Sequence, residues 1–464
     1  MATANQWYLI DKIFNVKMVS NLRVRTEKFR AVNSADIIID GITLVAGENG
    51  CGKSTISKLL YFSFKTVSNF DRLVKDKLFS NLREVLRFLE IFQHEVVLIQ
   101  KDKRLSEDFR RELSDVRRSL YSSPNFEEEV RKWMELIDKV EYLFGNYNNK
   151  EQHRLFQDDS KVSSPRIIRL NRILKELLDD PEPYSFADYK DAFNQVRKFV
   201  QNKFKEANGK IISRPTKIFI DELSNVFSES KLPKRFDVLE YDASIVDIDK
   251  QNLSIPFTVD KVIYLDTPMM LSITDSPNEY WKDLNDLLLD DSQAQPNEIS
   301  EIISSQIING DVEYDDSLFA GDEFKFKRSD GLIFNLLDVA TGIKSFSILQ
   351  LLLKNGHLNE KTLLIIDEPE SHLHPQWIIE YARIIVLLNK KFGVRFFLAS
   401  HNPDMVSAIR YISEKEGVLD NTNFYLAVKE KQKFTYNYEY LSNNIDPIFE
   451  SFNIAIDRIN KYGA

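Results

Sequence analysis

The stretch VAGENGCGKST, residues 45–55, sets Gly47 and Gly52 around a turn that ends in Lys53, Ser54 and Thr55. It satisfies the spacing G-x-x-x-x-G-K-[ST], with an apolar run before it and a helix-period segment after it, the setting in which this spacing holds a phosphate. Glycines let the backbone wrap an anion with its N–H groups pointing inward. The helix that follows adds the positive end of its dipole. Lys53 can reach the terminal phosphates and the Ser54 hydroxyl can join a magnesium ion. Cys51 reads either as a small loop residue or as a thiol whose modification would block the site.

A second set lies about 300 residues on. TLLIIDEPESHLHPQW, residues 362–377, delivers Asp367 and Glu368 at the end of an apolar run. Carboxylates at the carboxyl end of a buried parallel strand face the ligand crevice. Asp367 is placed to hold magnesium, and Glu368 to orient and deprotonate a water. His372 and His374 invite a metal reading beside Glu370, but Pro375 reads as a first helical residue, so the two imidazoles precede a helix rather than share a face of one. A third apolar run, VRFFLAS, ends at Ser400-His401, where an imidazole could contact a terminal phosphate and sense its loss.

A fourth feature is DVATGIKSFSILQLLLKNG, residues 338–356. Phe346, Leu349 and Leu353 share one helical face and Gly356 offers a stop. Thr341-Gly342 opens this helix as either a plain cap or an end that faces a phosphate.

These residues need elements to hold them. NLRVRTEKFR and ADIIIDGITLVAG read as strands, the second split by a tight-turn signal at Asp40-Gly41. Residues 71–230 are mostly charged helix-period segments, too broken for a long coiled coil. DKVIYLDTP reads as a buried strand, and DEFKFKRSDGLIFNLL as a hairpin around Ser329-Asp330-Gly331. A short α/β tail follows His401. The chain of 464 residues has net charge −9, which argues against a general nucleic-acid coat. No segment approaches a membrane helix, no signal peptide opens the chain, and a single cysteine excludes an internal disulfide and fits a reducing cytoplasm.

Together GENGCGKST, ATGIKSF, LLIIDEPESHLHP and FFLASHNPDMV resemble the ABC-type ATPase heads, in particular the SMC-like and OLD-like AAA ATPases of bacterial phage defence. The resemblance implies an α/β fold: an ABC-type P-loop ATPase head, with a mixed N-terminal sheet, a parallel P-loop core sheet and a large helical insertion. The expected domains are 1–70, the first half of the head; 71–255, the mainly helical insertion; and 256–464, the second half. It implies that Gly47, Asn49, Gly50, Gly52, Lys53, Ser54 and Thr55 hold ATP, that Ser54 and Asp367 hold Mg2+, and that Glu368 and His401 are catalytic.

The same resemblance implies an ATP sandwich, in which two heads pair head to tail as a homodimer or higher homo-oligomer. Thr341, Gly342, Lys344 and Ser345 of one copy then cap the γ-phosphate held by the other, although T-G-I-K departs from the usual S-G-G signature, with Ile343 for the second glycine and Lys344 for an amide or acid. The strand-end Gln of such heads has no clear counterpart, since VIYLDTPMML ends its strand in Asp266-Thr267. About 60 residues follow His401, too few for a Toprim domain, and no HNH pattern occurs. The chain thus resembles ATPase subunits of the PtuA and AriA types. That implies a separate effector nuclease of HNH or Toprim type, a nucleic-acid or phage-protein trigger, no membrane partner and a cytoplasmic location. The competing classes are an SMC-like DNA-repair or chromosome-maintenance ATPase, a transporter ATPase subunit, and a scaffold that holds ATP without turning it over. Glu368 speaks for turnover.

Overall fold

The computed structural model describes residues 22–100, 111–116, 118–119, 126–145, 172, 189–228, 231–266, 279–290, 297–315 and 323–451. The alternating run ahead of the glycine loop forms β1 (Leu22–Phe29) and β2 (Val32–Ile38), an antiparallel pair. The continuous run forms β3 (Ile42–Ala46), buried at every position, and the loop leads into helix α1 (Lys53–Ser68). The chain divides by contact into two compact units. One is Asn69–Arg214; the other joins the residues up to Ser68 with those from Pro215 onward.

The first of these is helical: α2 (Phe70–Gln100), α3 (Phe126–Gly145) and α4 (Tyr189–Ser213) pack on one another. Their seam is aromatic, with Phe88 and Phe193 ring centroids 5.5 Å apart and Trp133 and Phe204 at 6.5 Å. At 1.5 Å per residue α2 is about 46 Å long, a lobe rather than a long arm. Arg214 lies 4.5 Å from the Phe70 ring centre and 3.4 Å from Asp71, so the two ends of the unit meet.

The head unit resumes with α5 (Thr216–Phe227), β4 (Arg235–Glu240), β5 (Ala243–Asp247), β6 (Asn252–Leu253) and β7 (Lys261–Leu265). The span 71–255 expected as a mainly helical insertion therefore includes a helix and three strands that belong to the head. β4 pairs with β1, β5 with β4 and β6 with β5, all antiparallel. These strands are short and charged, as RFDVLE shows, and so give little periodic signal.

Next come α6 (Glu279–Leu289) and α7 (Glu298–Ile302), which runs into a π-helical turn at Ile303–Ile307. β8 (Gly310–Asp315), β9 (Glu323–Arg328) and β10 (Ile333–Asn335) form a small antiparallel sheet of their own, its last two strands being the expected hairpin. The chain continues through α8 (Thr341–Lys354), β11 (Thr362–Asp367), α9 (Pro375–Phe392), β12 (Arg395–Ser400), α10 (Pro403–Glu416), β13 (Thr422–Lys429) and β14 (Tyr436–Ser442).

The main sheet has eleven strands in the order β6-β5-β4-β1-β2-β14-β13-β3-β12-β11-β7. β7, β11, β12, β3 and β13 run parallel. The mixed and parallel sheets are thus one continuous sheet. Asp40-Gly41 is a turn but joins no hairpin: β2 and β3 are separated by the β13–β14 pair, β13 against β3 and β14 against β2. Gly41 has φ +56°, and a Cβ there would lie 2.2 Å from the Asn421 carbonyl oxygen. The two end strands β6 and β7 are joined by a short link, Leu253 to Lys261, which spans at most about 28 Å. A flat sheet of this many strands would be about 48 Å wide, so the sheet is strongly coiled and its edges approach. Among the described residues no helix is long and apolar enough to cross a membrane.

Candidate functional site

Three parallel neighbours, β3, β12 and β11, end side by side: Ala46 is level with Ser400, and Ala399 with Asp367. Each strand hands its continuation to one rim of the sheet, and each continuation carries part of the expected site.

After β3, Gly50 and Gly52 take positive φ, +80° and +98°, which a side chain would resist. A Cβ on Gly52 would come 2.8 Å from Val32, and one on Gly47 would come 2.9 Å from both Cys51 Sγ and Ala427 Cβ. Lys53 starts α1 and is buried; its Nζ donates to the Gly47 and Glu48 carbonyl oxygens at 2.8 and 3.0 Å. Among the described residues no carboxylate pairs with it. A buried ammonium held by the loop's own carbonyls and, at 3.8 Å, the Cys51 sulfur fits an incoming anion. Glu48, Asn49, Gly50 and Ser54 are exposed around it, and Thr55 is half-buried. Cys51 is wholly buried, as the small-residue reading expects, and its carbonyl accepts from the Tyr438 phenol at 3.0 Å.

At the end of β11 Asp367 is buried. Its Oδ1 accepts from the Ser57 hydroxyl at 2.5 Å and its Oδ2 from Tyr264 at 2.7 Å. Burial pushes the carboxyl pKa up, and the hydroxyls of Ser57, Tyr264 and Ser54 pull it back. Ser54 and Asp367 thus stand together. One hydroxyl and one carboxylate are the hard oxygen donors that magnesium takes when phosphates and water complete its shell, so these residues fit Mg-ATP. β7 ends beside β11, with Leu265 level with Ile366, so Asp266 is the strand-end residue where the resemblance asks for Gln. Residues 267–278, including Thr267, lie outside the described residues.

Glu368 turns the chain with φ +52°, an unfavoured conformation for a side-chain-bearing residue. Its N–H donates to Ala399 O at 2.8 Å. Its carboxylate stays exposed, held by Ser371 Oγ at 3.0 Å. His401 at the end of β12 is half-exposed, with Nδ1 3.5 Å from Glu368 Oε1 and 3.3 Å from Glu370 Oε1.

Glu370, read from the sequence only beside His372 and His374, has a role that sequence reasoning missed. It is 6% exposed, and its Oε1 accepts from Ser400 Oγ at 3.0 Å and from the His401 N–H at 2.9 Å. Burial pushes its carboxyl up. The only signal was the E-P-E string, and nothing in its spacing says that the turn folds back under β12. His374 is used locally: its Nδ1 caps α9 by accepting from Gln376 N at 3.4 Å.

The four residues expected at a signature sit on α8. Thr341 is half-buried, and Gly342, Lys344 and Ser345 are buried. A Cβ on Gly342 would come 2.5 Å from Trp377, so this glycine lets α8 close on α9. The Lys344 ammonium donates inward to Leu337 O at 2.6 Å. In the single head it ties down the loop ahead of its own helix, a bond that the γ-phosphate reading did not foresee. Ser345 donates to Thr341 O at 3.2 Å and lines, with Asp266 and Glu368, a small cavity of about 20 Å³. The structure therefore joins the loop, Asp367, Glu368 and His401 at one rim, and leaves α8 with Thr341 as its most exposed signature residue.

A family model described as "AAA domain, putative AbiEii toxin, Type IV TA system" matches residues 42–407, more than half of the chain. No curated protein matches. Similar solved structures include the Smc head domain with an extended coiled coil bound to the C-terminal domain of ScpA from Pyrococcus furiosus. It is 11% identical, covers 95% of this chain and 100% of that one, and has a TM-score of 0.33. The SMC head domain from Thermotoga maritima is 9% identical over 91% of this chain and 99% of that one, with a TM-score of 0.34. CbiO1 from Clostridium perfringens, part of the ABC transporter complex cbiONQ, is 13% identical over 52% and 81%, with a TM-score of 0.25.

Proposed function

The chain belongs to the AAA-domain family of that description, and from that premise we propose that it binds ATP with Mg2+ and hydrolyses it to ADP and phosphate. The observation that carries this reading is the alignment of three strand ends, which puts Lys53, Asp367, Glu368 and His401 on one rim. The loop N–H groups and Lys53 bind and orient the phosphates, at the positive end of α1. Ser54 and Asp367 would hold a magnesium ion, which when bound would supply charge neutralisation at the phosphates. Glu368, exposed and anchored by Ser371, takes a proton from the attacking water. His401 faces the terminal phosphate.

On the same reading two heads pair head to tail, with the Thr341 end of α8 in one meeting the ATP of the other, in a homodimer or larger ring. The pair acts as sensor and scaffold for a separate HNH or Toprim nuclease in phage defence, answering a nucleic-acid or phage-protein trigger. The family's description, with its toxin of a two-part system, supports a two-part arrangement.

Phosphate release and nucleotide-dependent size test the reading. Lys53→Ala is expected to lose ATP binding. Glu368→Gln is expected to bind ATP, hydrolyse it about 100-fold more slowly or worse, and accumulate as a paired species on a sizing column. Hydrolysis by Glu368→Gln at the parent rate would remove Glu368 from the role of base.

A further inference from the structure

Glu370 belongs to neither the phosphate nor the magnesium set, yet it makes the most directed contacts at the rim. The turn that carries it is closed by Ser371 N–H to Glu368 O at 2.8 Å and Leu373 N–H to Glu370 O at 3.1 Å. This brings the carboxylate under the end of β12. One oxygen, Oε1, takes both the Ser400 hydroxyl and the His401 peptide N–H, and Ser400 Oγ accepts in turn from the Asn402 N–H at 3.1 Å. Two successive residues of the histidine loop are thus tied to a single buried oxygen, and the third to the Ser400 hydroxyl. The His401 ring then lies with Nδ1 near two carboxylate oxygens, Oε1 of Glu370 and Oε1 of Glu368.

Glu370 Oε1 already takes two donors and so acts as an acceptor here. A ring nitrogen that faces two carboxylate oxygens is stable there as N–H, and the tautomer of a histidine is set by the partner of one nitrogen. We propose that Glu370 is the positioning residue of His401: it fixes the histidine's backbone and holds its proton on Nδ1, leaving Nε2 as the atom presented to the bound nucleotide. Among the described residues His401 Nδ1 has no hydrogen-bond partner, and its nearest acceptors are these two carboxylate oxygens, at 3.3 and 3.5 Å. The inference rests on the hydrolytic reading above, in which His401 faces the terminal phosphate.

The test reads tautomer and rate together in the full-length protein. Ring ¹⁵N NMR at pH 8, with His401 assigned by its loss in His401→Gln, is expected to show the Nδ1–H form. Glu370→Ala is expected to shift it toward Nε2–H and to lower kcat about tenfold or more, with the KM for ATP nearly unchanged. Glu370→Gln, whose amide oxygen can replace Oε1, is expected to restore both. Glu370→Asp withdraws the carboxylate by one methylene and is expected to act like Ala, so the test survives a poorly folding Ala variant. A parent-like tautomer or a parent-like kcat in both Ala and Asp overturns the proposal, as does a Gln variant that matches Ala. If the parent releases no phosphate from ATP, or Lys53→Ala releases it at the parent rate, the hydrolytic reading of this site has failed; if Lys53→Ala is dead and the Glu370 variants are unaffected, only the role of Glu370 has.

Discussion

Asp367 shows what a residue at this rim gives up. Its carboxylate is buried at a strand end, and three hydroxyls offset that burial only in part, so the folded state holds the acidic proton more tightly than the unfolded chain does. A raised folded pKa contributes stability below the unfolded value near 4, and that contribution is lost as pH rises through the folded value. Ionising this buried acid in the free head therefore costs stability. Asp367→Asn has no charge to bury. Without nucleotide it is expected to be about 1 kcal/mol more stable than the parent at pH 8, with the gap closing toward pH 4 and ATP hydrolysis lost. Melting curves across that pH range check this, and an Asn variant that melts lower at pH 8 would reject it. The residue types here were legible: a glycine loop ending in Lys-Ser and an acidic pair after an apolar run name their own chemistry. The burial of Glu370 was not legible, because it depends on a turn that passes through two left-handed residues, Glu368 and His372, and no short string specifies that path.

At the scale of elements, α8 is the instructive case. Its apolar face was visible in the spacing of Phe346, Leu349 and Leu353, all buried. The meaning of its glycine was not. Gly342 lies where α8 closes on the first turns of α9, against Trp377 and Leu373, and Phe346 meets Trp377 edge-on at 5.7 Å. The helix is thereby locked to the segment that follows Glu368. Gly342→Ala is expected to cost about 1–3 kcal/mol through overpacking against Trp377. Adding Trp377→Leu is expected to recover a large part of that cost, which a double-mutant cycle in urea would read as coupling. Additive losses would show that the two residues do not meet. Lys344 adds to this: the sequence shows a cation near a helix N-terminus, and only the fold shows its bond to the loop carbonyl of Leu337.

At the scale of the whole molecule, the division into units and the order of strands carry the consequences. Asn69–Arg214 is a compact helical unit whose first and last residues touch through Arg214 and Phe70. Replacing it by a short Gly/Ser linker is expected to leave a folded head that still binds ATP, measured by circular dichroism and a fluorescent ATP analogue. Removing the chain beyond Gly417 is expected to do the opposite. That segment reads as a short tail, yet among the described residues β13 and β14 are the strands that join β2 to β3 in the sheet order, and losing them opens two long edges. A head that folds without β13 and β14 would contradict this order.

The sequence by itself determined the phosphate loop, the acidic strand end, the histidine strand end and the parallel core that carries them. Each of these is a local string whose residue types suffice, and continuous apolar runs mark strands buried on both faces. The tertiary structure alone decided which strands are neighbours, where the helical unit ends, and that Glu370 holds His401. Strand order and side-chain burial arise from contacts between residues tens to hundreds of positions apart, and no window of sequence contains both partners.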